Sequence, residues 1–232
     1  MTSATTRPVD VPDEATFRYG AVLLIVLALV VFEIVAPAGN AQRAIAVALA
    51  GAALLVSVAT WRTRSGRQGL LTLLVGAGVV VLVVGAATGV LPPAFEAAAV
   101  AFLVVAIPAT LVRGLVRLVA ERGATLHAIA GALALYLMLG LLFASLIGFV
   151  VEVQDDPYFA QGDVSNGDRV YYSFTVLTTT GFGDYTAATA AGHALAVLEM
   201  LAGQLFLVTV IGVLIGHYVR RASDRRGERP VG

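Results

Sequence analysis

Long apolar stretches dominate this sequence, and they leave its backbone few options. They run over about residues 17–35, 44–61, 70–90, 95–112, 128–153 and 188–218. Each is near or above the roughly 20 residues that an α-helix needs to cross a bilayer core. In hydrocarbon every backbone N–H and C=O must be bonded within the protein, and a helix does this segment by segment. Composition agrees, with 59% of the 232 residues hydrophobic, against about 45–50% in an ordinary soluble domain. The chain therefore reads as an all-α membrane protein with six transmembrane helices.

Charge sets the expected orientation. Every basic residue is Arg, and the formal net charge is zero, so whole-chain charge points to no nucleic-acid partner. Arg7 and Arg18 precede or open the first run. Arg62, Arg64 and Arg67 follow the second, Arg113, Arg117 and Arg122 follow the fourth, and Arg220, Arg221, Arg225, Arg226 and Arg229 follow the last. All of these fall on one side of a six-span arrangement, and the other side holds only Arg43 and Arg169. Positively charged loops stay cytoplasmic, so both termini are expected there, in a multi-pass protein of the plasma membrane. The basic clusters would face anionic lipid of the inner leaflet, or serve only as topology determinants. There is no cysteine, which excludes disulfides and thiol chemistry. No His/Asp/Ser constellation stands out in the apolar runs, so an enzyme is not expected.

One polar stretch interrupts the last two runs. Thr178-Thr179-Thr180-Gly181-Phe182-Gly183-Asp184 combines β-branched residues with two glycines, which opposes a helix. Glycines alternating with other residues let successive carbonyls point one way, and a row of carbonyl oxygens can replace the water around a cation. Before it, Val170 to Thr178 is a short aromatic helix candidate, preceded by a polar segment from Gln154 to Asp168.

At these residues Thr179-Thr180-Gly181-Phe182-Gly183-Asp184 resembles the potassium-channel signature Thr-Val-Gly-Tyr-Gly-Asp. The resemblance covers about residues 126–218, in the order outer helix, pore helix, filter, inner helix. It implies a bacterial-type six-transmembrane channel with one re-entrant pore helix and one selectivity filter per subunit, closed as a homotetramer. It implies K+ at Thr179, Thr180, Gly181 and Phe182, with Gly183 turning the chain outward and Asp184 at the outer mouth. No cofactor is implied; K+ is the permeant ion. Filter support would come from Tyr171, Tyr172, Thr175, Thr178 and Glu199, and a gating hinge from Gly203, with close helix packing as the alternative role there. Two departures matter. Thr180 replaces the usual Val, and Phe182 replaces Tyr and loses its hydroxyl. Thr175 stands where some relatives place a carboxylate.

The implied organisation is a cytoplasmic tail (1–16), a four-helix voltage-sensor-like domain (17–112), a cytoplasmic linker helix (113–123), the pore domain (124–219) and a C-terminal tail (220–232). The fourth run contains no cation between Phe95 and Val112, and Pro108 is expected to kink it. Voltage gating needs several such charges, so weak or absent voltage dependence is expected. Around the outer mouth, Glu152, Asp155, Asp156, Asp163, Asp168 and Asp184 outnumber Arg169, a rim that would concentrate cations. Other readings of the pattern are a weakly selective cation channel and a non-conducting accessory protein of the same fold.

Overall fold

The computed structural model describes residues 14–37, 39–59, 66–90, 93–154 and 156–227. The Arg62–Arg64 loop, Trp61, Pro92, Asp155 and most of the expected N-terminal tail lie outside them. Four helices come first: α1 (Glu14–Val35), α2 (Asn40–Ala59), α3 (Gly66–Thr88) and α4 (Pro93–Arg122). Then follow α5 (Leu126–Val153), α6 (Asn166–Leu177), α7 (Ala190–Leu205), a π-helical segment (Phe206–Ile211) and α8 (Gly212–Gly227).

Among the described residues, three helices are long and apolar enough to cross a membrane: Asn40–Val58, Leu126–Val153 and Ala190–Arg220. Tyr19–Val35 and Leu73–Thr88 are shorter apolar helices. The sixth run is thus one continuous helical rod through α7, the π segment and α8, and it continues to Gly227, past the expected start of the tail at 220.

α5 is the axis on which the rest is hung. It packs against α1, α4, α6 and the last rod. Its small residues Ala128, Gly131, Ala132 and Ala134 are buried and let neighbouring backbones come close, which is how helices associate where water supplies no driving force. α1 meets it through Tyr19, Val22, Val26 and Leu29, a three–four spacing that makes one helix face. α2 lies between α3 and α4, and the buried Ser57 hydroxyl meets that of Thr110 at 2.8 Å.

α4 runs through Pro108 without a break to Arg122. The expected linker helix at 113–123 is therefore the end of α4 and not a separate element. A lost N–H at Pro108 removes one helical bond, and the remaining ladder carries the helix on. It ends at Gly123, whose φ of 67° and N–H bond to the Val119 carbonyl at 2.8 Å make a left-handed cap. Thr125 then caps α5 by accepting from the Ala128 N–H at 3.2 Å. This tight turn returns α5 alongside α4.

Candidate ion-conduction site

α6 is 12 residues long, roughly 18 Å, so it cannot cross a bilayer core of about 30 Å. Its start lies earlier than the expected Val170. Ser165 and Asp168 form a capping box: the Ser165 hydroxyl accepts from the Asp168 N–H at 3.2 Å, and the Asp168 carboxylate accepts from the Ser165 N–H at 3.0 Å. Two otherwise orphaned donors are satisfied, so the helix begins at Asn166.

The other end of α6 is fused to the loop that follows. An α-helix leaves its last four carbonyls without helical partners. Here Phe174 O accepts the Thr178 N–H (3.1 Å), Val176 O accepts the Thr179 N–H (2.9 Å), and Thr175 O accepts those of both Thr180 (2.9 Å) and Gly181 (3.1 Å). Leu177 O accepts the Tyr136 hydroxyl of α5 at 3.3 Å. Every orphan acceptor is therefore used, and the negative end of the helix dipole is aimed at the base of the loop.

In the loop, φ is positive at Thr179 (57°), Gly181 (54°) and Gly183 (82°), and at neither Thr180 nor Phe182. Alternation between left-handed and ordinary backbone aligns successive peptide planes. The N–H groups then face one way and the carbonyls the other. The bonds to Thr175 O identify the N–H face as the one turned to α6. The trans peptide then turns the Thr179 and Thr180 carbonyls away from Thr175, and residues 178–184 are exposed in the single chain. Thr179 is the strained member, because a β-branched side chain disfavours positive φ. Its hydroxyl accepts from the Gln204 amide of α7 at 3.0 Å, and the Thr178 and Thr180 hydroxyls meet at 2.9 Å. Gln204 was not among the expected site residues. A lone amide in an apolar helix was the available signal.

The expected support residues divide. Tyr171 stacks on Phe182, with ring centroids 6.3 Å apart and planes 5° from parallel. It also bonds Asp184, which holds its phenol above the usual range. Phe182 loses a hydroxyl, and Asp184 finds its partner in Tyr171, not at Thr175. Tyr172 does not join this stack within the chain. It points the other way, into a buried aromatic cluster with Tyr158 and Phe159, because successive helical residues face about 100° apart. Thr175 bonds the Tyr172 carbonyl at 2.8 Å and is buried. Thr178 caps α6 and donates to Phe174 O at 2.7 Å.

A second clamp fastens the return of the loop. The Tyr185 hydroxyl donates to Asp168 at 2.9 Å, so the acid that caps α6 also holds the chain beyond Asp184. Bonds from the Ser165 hydroxyl and N–H and from Tyr185 keep the Asp168 carboxyl below the ordinary carboxylate range, and burial opposes them. Tyr185 is correspondingly raised. A Phe159–Ala187 bridge and the Ala188 N–H bond to Tyr158 O (2.7 Å) complete the fastening. Glu152, Asp156 and Asp163 remain exposed.

Behind α6, Glu199 of α7 is fully buried and lies 2.5 Å from the Ser173 hydroxyl, which lies 2.7 Å from the Gly140 carbonyl of α5. The serine has one proton and the carbonyl can only accept. The three oxygens are satisfied together when Ser173 donates to Gly140 and Glu199 donates to Ser173, as a neutral acid. Its other oxygen has no partner, which a buried carboxylate would not tolerate. Gly203 is a contact point: a Cβ there would overlap the Leu177 carbonyl. The departure from α geometry comes after it, at Phe206–Ile211, where Thr209 donates to Leu205 O.

Residues 132–220 match a protein-family model described as an ion channel. The matched span runs from the first turns of α5 through α6 and the loop to α8. Neither the curated proteins nor the solved structures gave a match.

Proposed function

We propose that four copies of this chain form a potassium-selective channel. Six spans per subunit would place both termini in the cytoplasm. Thr179, Thr180, Gly181 and Phe182 would present carbonyls, with the Thr179 hydroxyl at the base, to dehydrated K+ on the fourfold axis. One observation carries the reading: alternating φ across Thr179–Gly183, with the N–H groups of Thr179, Thr180 and Gly181 tied to α6. Such a ladder is what a cation needs in place of water. The ion-channel match over the same residues supports it. Asp184 and the exposed acids would form the outer rim, and the inner rod would bend between Gly203 and Ile211. α4 has no cation between Phe95 and Val112, so the conductance would respond weakly to voltage or not at all.

The test is K+ flux into liposomes holding purified protein, with barium block as the control. Flux is expected in the unaltered chain and absent in Gly181→Val, which fills the loop with a β-branched side chain at positive φ. Flux that survives Gly181→Val excludes this ion path. Reversal potentials in mixed K+ and Na+ decide between a selective and a weakly selective pore.

A further inference from the structure

A second site lies away from the loop, between the first helices and α5–α6. It is a partly open cavity of about 490 Å³, within the roughly 300–1,000 Å³ typical of ligand pockets. Most of its wall is apolar. Along α2 it extends from Gln42 to Ala50, about 12 Å of helix, so it suits an elongated apolar chain better than a compact solute.

One end is polar and cationic. Glu33, Gln42, Arg43, Asn166 and Arg169 all line it. Arg43 and Arg169 are the two arginines that the positive-inside pattern leaves on the opposite side from all the others. They come from α2 and α6, 126 residues apart in sequence, and the fold brings both to the rim of this one cavity. Glu33 is the only acid among the lining residues. Its carboxylate is already engaged by Asn166 (2.7 Å) and Gln42 (3.2 Å). Arg43 donates to Asn40 at 2.8 Å and Arg169 to Asn166 at 3.3 Å, each bond using part of a five-donor guanidinium.

We propose that this cavity binds one anionic membrane phospholipid, with an acyl chain between α2, α4 and α5 and the phosphate at Arg43 and Arg169. An apolar slot ending in two guanidinium groups matches an amphiphile with a negative head. Guanidinium pairs with phosphate through several N–H bonds at once. Because Asn166 and Arg169 stand in the first turn of α6, the lipid would join the four-helix region to the short helix that carries the loop.

Native mass spectrometry of the full-length protein in detergent tests this, with added phosphatidylglycerol, phosphatidylcholine of the same chains, or free palmitate. The unaltered protein should retain one phosphatidylglycerol per chain in preference to the other two. Arg43→Gln and Arg169→Gln should each weaken that retention about tenfold, the size of a charge-assisted bond. Ala144→Leu, which fills the slot, should remove the same adduct while leaving the melting temperature unchanged or raised. That variant separates loss of the site from loss of the fold. Equal retention of phosphatidylglycerol and phosphatidylcholine, or an adduct indifferent to Ala144→Leu, overturns the proposal. Preferential palmitate binding overturns the choice of a phospholipid.

Discussion

α5 and the α7–α8 rod are alike in sequence and opposite in circumstance. Their mean hydropathies are 2.4 and 2.1, yet half of α5's apolar window is buried within the chain and only 17% of the rod's. α5 uses alanines and glycines to bring α1, α4 and α6 close. The rod leaves Leu198, Leu201, Leu205 and Val208 uncovered, while its Glu199, Gly203 and Gln204 reach back to α6 and the loop. Hydropathy alone therefore says that both helices belong in a membrane, and not what each faces there. A helix that holds the proposed filter on one side and bares branched side chains on the other fits the inner wall of an assembly around an axis.

The comparison can be broken most forcefully at Gly203. Gly203→Val pushes a side chain into the Leu177 carbonyl, and backbone cannot yield as a flexible side chain does. Destabilisation of about 3 kcal/mol and loss of K+ flux are expected, read by thermal melting in detergent and by liposome assay. Unchanged melting would show that the rod does not dock against α6 as described.

Next come charges on the uncovered faces. Leu201→Arg on the rod should dissociate the proposed tetramer, read as a fourfold fall in mass by light scattering. Phe149→Arg on α5, also exposed, should leave the mass unchanged and cost about 2–3 kcal/mol or less of insertion energy. Equal effects of the two would erase the distinction between the helices.

Glu199 sharpens the contact between rod and α6. Glu199→Gln keeps a donor for Ser173 and should melt within about 0.5 kcal/mol of the unaltered protein. Glu199→Leu removes that donor and should cost about 1–2 kcal/mol. Were Gln as damaging as Leu, the neutral-acid assignment would fall.

The smallest expected effect concerns the outer clamp. Tyr185→Phe removes the hydroxyl bonded to Asp168 and should cost about 1 kcal/mol, read by thermal melting in detergent. The pH dependence has a defined sign. Folded Asp168 is shifted below its unfolded value, so its stabilisation is complete above the unfolded carboxylate range near pH 4. It is lost as pH falls through the lower folded value. Acid melting should therefore steepen below about pH 4 in the unaltered protein and less so in Asp168→Asn.

Much of the site was legible in residue order. Two glycines and three threonines between apolar runs announced a non-helical loop, and the alternation of positive φ sits on Thr179, Gly181 and Gly183. The start of α6 is written in Ser165-x-x-Asp168, four residues before the aromatic run that begins near Val170. Tyr185 and Ser173 were not legible, and Gln204 only as a lone amide in an apolar helix. Each is an ordinary polar residue whose role depends on a partner far along the chain. The division of labour between Tyr171 and Tyr172 depends on helical phase relative to the loop, which no local pattern states.

The sequence by itself determined the class of environment and the shape of the loop, because both follow from local physics. Apolar run length meets bilayer thickness, and glycine spacing meets backbone sterics. Only the tertiary structure decided what braces the loop and that Arg43 and Arg169 line one cavity. Asp168 and Tyr185, and Glu199 and Ser173, come together only when the helices pack. Hydrogen bonds between distant residues depend on the positions of whole helices, and those are set by the summed packing of many side chains.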